Sequence, residues 1–555
     1  MAAPAACPGS RELPGGRTIL ADMADWNPAE MLGSRPAPLD RSLYRFLITR
    51  STWNAARVSL GYVDVGRPEL MMTVAGKPYI DTQVSFTSLT PATVPPPLRA
   101  TLIPRCLALL GRRPALQDKV EFEIVFTCFD LVFERRAADL ASDGMPADDM
   151  ACLRQALLAH TNRLLAALPA LIDADQRRLR ALDLRSRALT RAPRTFDDAL
   201  AQAFALLREC RARGTFAFAR LARLAFVSLA LVRSLIAAGI VSPDEADRFM
   251  GTIAGIPSRM AADVAAAQRG QISPHVLVER YGHLRAGTYS ILSPRYDQIP
   301  GLFDGAPRAP HMPREASAPP DAELDARIAA GLAAHGVRGP AAGLLPAARQ
   351  ALEEREYAKF AFTRPLSAAI ELLALAGEHL GLAREELALL DLETIARVAR
   401  ISGRDRERAR GMLREHIAAS AARQRQAALA LPPVLASPHD LVAVSVYESR
   451  PNFITRQHVE APLHHLEQGY GEQLPPLENR IVLIEHADPG YDWIFRHRPR
   501  GLITKDGGVA SHMAIRCAEL GLPAAIGCGQ AIYERLTRAH RVDLDCANER
   551  VTPLH

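Results

Sequence analysis

The stretch GLITKDGGVASHMAIRCAELGLPAAIGCG, residues 501–529, is the most informative part of this chain. Its pattern predicts a strand at 502–504, a turn at Gly507 and Gly508, and a helix that begins near Ser511. Such a turn can hold an anion, because glycines expose backbone N–H groups and a helix N-terminus adds unpaired donors and a positive dipole end. His512 falls in the first helical turn, where its imidazole could attack phosphorus.

Two cationic residues accompany this turn. Lys505 follows the predicted strand, and Arg516 lies one helical turn after His512, so both could neutralise a phosphoryl group. The alternative is that His512 merely occupies a helix start and has no activity. We predict His512 as the catalytic residue. The predicted phosphate-binding residues are Thr504, Lys505, Gly507, Gly508, Ser511 and Arg516.

The same stretch resembles the swivelling phosphohistidine domain of phosphoenolpyruvate-utilising enzymes. Their motif, T-x-x-G-G-x-x-S-H-x-A-I followed by G-x-P-A-x-x-G, appears here at Thr504, Gly507, Gly508, Ser511, His512, Ala514, Ile515, Gly521, Pro523, Ala524 and Gly527. Many relatives have Thr two residues before the histidine, where this chain has Ala510. The resemblance implies that His512 is transiently phosphorylated.

The composition indicates a folded chain with several cores. At 555 residues and 48% hydrophobic content, the chain is too long for one core and too apolar to be mostly disordered. The net charge of +6 is spread along the sequence, so we expect no nucleic-acid partner, which would require a clustered basic face. The apolar stretch 216–241 carries Arg220, Arg223 and Arg233, so we predict a buried helix and no membrane partner.

The cysteines and the N-terminus indicate the compartment. Eight cysteines are scattered without a C-x-x-C pair or a zinc-like spacing, and the N-terminus lacks the apolar segment of a secretory signal. We therefore expect a cytoplasmic protein.

The periodicity predicts an α+β multidomain chain. Its parts are a small mixed N-terminal part, a large mainly α-helical region and a C-terminal swivelling α/β phosphohistidine domain. Strand-like runs occupy 78–86 and 119–133, and helical spacing covers 150–270 and 321–431. In the C-terminal part, strands are predicted at 441–446, 480–485, 501–504, 523–527 and 541–545, with helices at 491–496 and 511–520. The predicted division is a tail at 1–35, an acceptor-side domain at 36–300, a linker at 301–320, a helical domain at 321–437 and the phosphohistidine domain at 438–555.

Further segments are similar to one subfamily of these enzymes. They are DMADWNPAEMLG (22–33), SLYRFLITRSTWNAAR (42–57), GKPYIDTQVSFTSLTPA (76–92), DKVEFEIVFTC (118–128), RYGHLRAGTYSILSPRYD (280–297), REYAKFAFTRPLSAAIELLA (355–374), RPNFIT (450–455) and IEHADPGYDWIF (484–495). Together they resemble the glutamine kinases of capsular polysaccharide biosynthesis, which use ATP to phosphorylate the side-chain amide of L-glutamine and release AMP and phosphate.

These segments supply the candidate substrate residues. His283, Arg285, Thr288 and Arg295 could bind an anionic or amide substrate, or could hold their own loop together. The family usually has Pro at Ala286 and Asp at Ser290, which weakens the functional interpretation. Lys359 and Arg364 could contact phosphate, and a solvated helix face is the alternative.

Two other groups of residues have a plainer interpretation. Glu121 and Glu123 alternate with apolar residues, which is more typical of the polar face of a strand than of a catalytic carboxylate pair. His458, His464 and His465 lie in a loop-like segment without a recognised ligand spacing, so we predict surface histidines and no metal site.

Enzymes of this group carry an N-terminal ATP-grasp domain, and no phosphate-binding glycine loop of the P-loop or kinase type occurs in this sequence. We expect ATP and Mg²⁺ to bind mainly outside this chain, on a separate ATP-grasp protein, unless the chain is a remnant acting as a scaffold. The expected acceptor is the amide of L-glutamine. A phosphoenolpyruvate synthase-like or antibiotic-phosphorylating activity is the alternative, although a pyruvate site usually requires a (β/α)₈ unit that the pattern does not predict.

Overall fold

The computed structural model describes residues 18–299, 302–303, 322–340, 343–402, 406–426, 431–441, 449–466, 477–487, 489–509 and 511–554. The N-terminal elements are β1 (Leu20–Ala21), α1 (Pro28–Leu32), α2 (Pro38–Tyr44), α3 (Thr52–Ser59), β2 (Met71–Val74), β3 (Lys77–Asp81), α4 (Thr82–Leu89), α5 (Pro96–Arg112), α6 (Val120–Glu123), α7 (Phe133–Arg136) and α8 (Ala138–Ser142). A π-helical turn at Arg45–Thr49 and a 3₁₀ helix at Pro114–Lys119 join them.

Helices make up the central region. They are α9 (Ala147–Leu189), α10 (Phe196–Glu209), α11 (Phe216–Ala237), α12 (Pro243–Met250), α13 (Ile256–Gln268), α14 (Pro274–Tyr281), α15 (Ala322–Ala334), α16 (Leu344–Glu378), α17 (Arg384–Ala388), α18 (Leu392–Ser402) and α19 (Arg406–Gln426). A π-helical turn at Cys210–Thr215 links α10 to α11, and a 3₁₀ helix lies at Tyr296–Gln298.

The C-terminal part is built on a mixed sheet. Its elements are β4 (Val434–Leu435), β5 (Asn452–Ile454), β6 (His458–His465), β7 (Ile481–His486), β8 (Gly501–Asp506), α20 (His512–Leu520), β9 (Ala524–Ile526), α21 (Gly529–Leu536), β10 (Arg541–Asp545) and β11 (Arg550–Leu554), with 3₁₀ helices at Pro438–Leu441 and Pro489–His497. The order β11-β10-β6-β7-β8-β9-β5 is parallel from β6 to β9 and antiparallel elsewhere. A second, antiparallel sheet has the order β2-β3-β1-β4 and joins the N-terminal segment to residues 434–435.

One hydrophobic core joins the two predicted helical segments. Helix α16 packs against α10 and α11, and Leu182, Phe218 and Phe362 are buried in the same cluster. Two stretches, Phe196–Ala237 and Leu344–Glu378, are long and apolar enough to cross a membrane by length and composition alone. Their most apolar windows are 78% and 67% buried inside the protein, and the core helix of a globular protein passes the same test.

The helix starts read from the sequence have a clear physical cause. Thr195 caps α10 by accepting a hydrogen bond from the Asp198 N–H, and Ser242 forms a capping box with Glu245 at α12. These contacts satisfy backbone donors that have no partner within the helix. The α+β class is confirmed, whereas the domain boundaries stay predictions.

The strand-like run at 119–133 was interpreted wrongly. It contains the short helix α6, followed by irregular chain that ends where α7 begins, so Glu121 and Glu123 do not alternate on a strand. Glu121 instead pairs with the buried Arg223 of α11. The prediction of a strand at 78–86 was half right. Strand β3 ends at Asp81, and the Asp81 carboxylate caps α4, which begins at the next residue. Tertiary packing overrides β propensity in both places.

In the C-terminal part, the predicted strands at 480–485, 501–504, 523–527 and 541–545 correspond to β7 to β10, and the helix at 511–520 to α20. The helix at 491–496 is 3₁₀, and β5, β6 and β11 were missed. The histidines at 458, 464 and 465 lie in β6 rather than in a loop, with His465 Nε2 2.7 Å from the Tyr533 hydroxyl. The predicted strand at 441–446 and the linker at 301–320 fall largely outside the described residues, as does Ala510.

Candidate active site

The turn before His512 is held tightly against the next strand. The Thr504 hydroxyl accepts a hydrogen bond from the Gly527 N–H at 3.0 Å and is buried. Gly527 has a φ of +77°, and a Cβ there would lie 2.3 Å from the carbonyl oxygen of Gly507. Only glycine permits this approach, so the two glycine positions of the motif fix the path from β8 into α20.

Ser511 and Gly521 set the ends of the helix that carries His512. The Ser511 hydroxyl accepts from the Ala514 N–H at 3.2 Å as the N-cap, and Gly521 ends α20 in the left-handed region. His512 is therefore the first residue of α20. Its side chain points into the protein and is 6% exposed.

Two carboxylates from different parts of the fold bind the His512 ring. The Nε2 side contacts Asp492 Oδ1 at 2.8 Å, and Asp492 belongs to the 3₁₀ helix of the same C-terminal part. The Nδ1 side contacts Glu356 Oε2, and Glu356 lies on α16 of the helical region. Both carboxylates are at least as buried as the ring.

These contacts decide the charge of the ring. Burial lowers the pKa of His512, but Asp492 and Glu356 together outweigh burial and raise this pKa to about 9. Burial likewise raises the pKa of Glu356, while His512 and Arg355 lower it to about 2. At neutral pH the site therefore holds an imidazolium that donates a hydrogen bond to each of two carboxylates.

A narrow cavity adjoins the ring. The His512 cavity is lined by Ile256, His283, Leu284, Arg285, Thr288, Glu356, Lys359, Phe360, Thr363, Ser367, Gly490, Asp492 and His512. Four residues predicted as substrate contacts thus lie around the predicted catalytic histidine: His283, Arg285, Thr288 and Lys359. About 30 Å³ is open to the centres of water molecules, which is enough for a reacting group but not for a whole metabolite.

The predicted substrate residues differ in how strongly they are engaged. Burial lowers the pKa of His283 well below its ordinary value, so this ring is neutral where it packs against Phe360. Arg285 is tied to Glu371 at 2.8 Å, to Ser367 and to the loop carbonyls of Ser290 and Ser293. Arg285 therefore also holds its own loop together, as the alternative interpretation proposed.

Arg295 and Arg364 do not line the His512 cavity. Arg295 pairs with Asp297 two residues later, and Arg364 donates to the backbone carbonyls of Glu279 and Arg280. Both arginines stay close to the cavity, because the Arg295 backbone bridges to that of Arg285 and both guanidinium groups help to lower the pKa of His283, but their side chains bind protein groups.

Three of the predicted phosphate-binding residues are engaged by carboxylates of the protein itself. The Gly508 N–H donates to Glu30 Oε2 at 3.2 Å, so a carboxylate takes the donor predicted for a phosphoryl group. Lys505 pairs with Glu485 at 2.7 Å, and Arg516 pairs with Glu519 at 2.6 Å. Neither cation contacts His512 in this arrangement.

A charged group beside β8 was not singled out from the sequence. Glu485, His486 and Asp506 place one potential metal ligand each within 4.8 Å of one another. The Lys505 ammonium lies 2.7 Å from Glu485 and 3.8 Å from Asp506, and the pKa of His486, although burial lowers it, is raised to about 9 by the two carboxylates. A proton and an ammonium thus already balance these carboxylates.

Sequence reasoning also missed Asp492 and Glu356. Each lies within a quoted segment, IEHADPGYDWIF or REYAKFAFTR, but nothing in the local pattern brings either carboxylate to the histidine. Glu356 also has charged neighbours one turn away on α16, Glu353 and Lys359, so the sequence offered no signal that this carboxylate is buried.

Comparison with known proteins agrees with the motif. Residues 476–549 match the family described as PEP-utilising enzyme, mobile domain. Phosphoenolpyruvate synthases from Escherichia coli K12 and from Neisseria meningitidis serogroup B are each 34% identical over 67 residues. This match covers 12% of the chain and 8% of each synthase. The matched domain indicates phosphotransfer through a phosphohistidine.

Proposed function

We propose that the chain is a phosphotransferase component in which His512 receives a phosphoryl group and passes it to a small acceptor, the side-chain amide of L-glutamine. The observation that carries this proposal is the position of His512. The ring lies between Asp492 of its own part and Glu356 of α16, at a cavity that also holds His283 and Lys359.

The chemistry divides one transfer into two. In the first step a P–O bond of the donor breaks as an N–P bond forms at the ring, and in the second the N–P bond breaks as the acceptor takes the phosphoryl group. A carboxylate at the other ring nitrogen keeps that nitrogen protonated, which makes imidazole a better leaving group. Lys359 supplies positive charge beside the cavity.

The donor site belongs to another part of the enzyme. ATP with Mg²⁺ is expected on an ATP-grasp protein, so His512 has to leave Glu356 in order to reach it. The ring facing Glu356 has both nitrogens engaged and a raised pKa, so it is not a nucleophile there. We also propose that the protein is cytoplasmic.

The test is the intact mass of the protein after an alkaline quench, because phosphohistidine is acid-labile. The wild type, His512→Ala and the surface control His540→Ala are incubated with Mg-ATP, with and without a candidate ATP-grasp protein, and separately with phosphoenolpyruvate. We expect a phosphoryl adduct on the wild type and on His540→Ala only. The absence of an adduct with ATP and with phosphoenolpyruvate would contradict the proposal.

A second candidate, phosphoenolpyruvate synthase-like transfer to pyruvate, is favoured by the two synthases that match the chain. To distinguish the two candidates, one portion of the phosphorylated protein is mixed with L-glutamine and another portion with pyruvate. Faster loss of the adduct with glutamine supports the first candidate, and faster loss with pyruvate supports the second.

A further inference from the structure

A larger cavity lies on the other side of the turn before His512. This Trp26 cavity is lined by Met23, Asp25, Trp26, Asn27, Glu30, Met31, Tyr44, Ile48, Arg57, Asp118, Val120, Glu121, Phe122, Phe218, Ala219, Ala222, Arg223, Phe226, Arg355, Lys359, Gly508, Val509 and Ser511. About 120 Å³ is open to the centres of water molecules, against about 30 Å³ in the His512 cavity. Lys359 lines both cavities.

The charges of the lining balance. Four carboxylates face four cationic side chains, and most have a partner of their own. Arg57 binds Asp25 with two hydrogen bonds, Arg223 pairs with Glu121, and Asp118 pairs with Lys119. A ligand with a large net charge would therefore upset a neutral site.

Glu30 and Lys359 are the exceptions. Neither has an ion pair within 4.0 Å in the part of the chain that the structure describes, although they are 5% and 6% exposed. Glu30 Oε2 accepts from the Gly508 N–H and from Asn27, and the Lys359 ammonium lies 3.7 Å from the Met31 sulfur. Glu30 and Lys359 attract each other, and Lys359 also acts on Glu356, but neither charge is in direct contact with an opposite one. A ligand that brings an ammonium to Glu30 and a carboxylate to Lys359 would complete both contacts.

The apolar wall of the cavity is held by an unusual backbone. Asp25, Trp26 and Asn27 have consecutive positive φ values of 55°, 47° and 35°. Residues other than glycine rarely adopt this region, and such conformations persist where the surrounding structure enforces them, often at ligand sites. The turn places Trp26 beside Phe218, with ring centres 6.0 Å apart.

We propose that the Trp26 cavity binds a small zwitterion of the amino-acid class, with its ammonium at Glu30, its carboxylate at Lys359 and its apolar part against Trp26. The inference rests on the proposed function, since the cavity would hold the charged end of the acceptor while its reacting group enters the His512 cavity. The two opposite, unpaired charges select against ligands that carry only one of them.

Calorimetric titration of the unphosphorylated full chain tests the site. The probes are L-glutamine, glutaramate, which lacks the ammonium, and 4-aminobutanamide, which lacks the carboxylate. The proteins are the wild type, Glu30→Gln, Lys359→Met and the matched controls Glu123→Gln and Lys77→Met, since Lys77 pairs with Asp22 and lines neither cavity. Circular dichroism establishes that each variant is folded.

We expect L-glutamine to bind the wild type about ten- to hundredfold more tightly than either analogue. Glu30→Gln should abolish the preference for L-glutamine over glutaramate but keep the preference over 4-aminobutanamide. Lys359→Met should have the opposite effect, and both control variants should keep both preferences. Equal affinities of all three probes for the wild type, or preferences unchanged in both site variants, would overturn the inference.

The His512→Ala protein separates this inference from the proposed function. Binding of L-glutamine that persists in His512→Ala, together with no phosphoryl adduct on the wild type, would support the zwitterion site and reject the carrier role. A phosphoryl adduct on the wild type, together with no binding of L-glutamine or its analogues, would support the carrier role and reject the zwitterion site.

Discussion

The charge of one imidazole links the chemistry of His512 to the position of its helix. Asp492 belongs to the same C-terminal part as His512, whereas Glu356 lies on α16. A protonated ring is attracted to Glu356, and a phosphorylated ring, carrying negative charge, is repelled by it. Under the proposed function, the contact described here is therefore that of the unphosphorylated ring.

Glu356→Gln tests this electrostatic role. Removing the charge should lower the pKa of His512 from about 9 towards its ordinary value of 6.5, because only Asp492 then stabilises the imidazolium. A pH titration of the histidine ring resonances, with His512 assigned from His512→Ala, gives the value. Glu354→Gln is the matched control, since Glu354 lies on the same helix and bonds Gln176. An unchanged His512 titration in Glu356→Gln would contradict the prediction.

At the scale of elements, the cap of α20 determines how firmly His512 is presented. Ser511→Ala removes the acceptor of the Ala514 N–H and should destabilise the protein by about 1 kcal/mol, whereas Ser511→Thr keeps a capping hydroxyl. Urea unfolding followed by circular dichroism measures the difference. Equal unfolding midpoints for the wild type and Ser511→Ala would show that the cap is not needed.

The contact between the C-terminal part and the loop after α14 depends on a glycine. A Cβ on Gly490 would lie 2.1 Å from the Ala286 Cα and 2.2 Å from the Arg285 carbonyl oxygen, and the Tyr296 hydroxyl donates to the Gly490 carbonyl. Gly490→Ala should therefore separate His512 from Glu356 without altering α20. We expect phosphohistidine to form normally and transfer to the acceptor to slow by about 100-fold.

Single-turnover mass spectrometry follows the two steps of that prediction separately. Gly411→Ala is the control, because no atom lies within 4 Å of a Cβ placed there on α19. Normal acceptor transfer by Gly490→Ala would contradict a docked state in which this contact is required.

The success of sequence reasoning differed between elements for a physical reason. The β8–turn–α20 segment could be predicted because its glycines, cap and apolar strand act locally. Residues 119–133 could not, because Phe122 and Val125 look strand-forming but are buried against helices. In the segment 458–465, Val459, Ala461 and Leu463 alternate with polar residues and Pro462, but the proline weakens the strand pattern. The pairing with β10 and β7 decides that this segment forms β6.

At the scale of the molecule, the candidate site is assembled from distant parts of the sequence. His512 meets Glu356 across 156 residues, and Gly508 meets Glu30 across 478. The motif alone predicts His512 as the catalytic residue, whereas its partners become visible only when α1, α16 and α20 pack together. Glu356 and Asp492 both lie in segments that resemble those of glutamine kinases, but the resemblance does not show which side chains face the ring.

The same assembly predicts how the molecule responds to pH. The folded-state pKa of His512 is raised from 6.5 to about 9, so its stabilising contribution is complete below pH 6.5 and is lost as the pH rises through 9. The pKa of Glu356 is lowered from 4.5 to about 2, so its contribution is complete above pH 4.5 and is lost as the pH falls through 2. The ion pair is thus fully effective between these limits, from pH 4.5 to 6.5.

Differential scanning calorimetry of the wild type and His512→Gln between pH 6.5 and 10 tests this window. The melting temperature of the wild type should exceed that of His512→Gln most at pH 6.5, and the difference should shrink as the pH passes 9. His486, whose pKa is also raised to about 9, contributes equally to both proteins and cancels in the comparison. His540→Gln, which replaces an exposed histidine, is the control for the loss of a histidine elsewhere in the protein. A difference that stays constant across this range would mean that the docked state does not depend on the charge of His512.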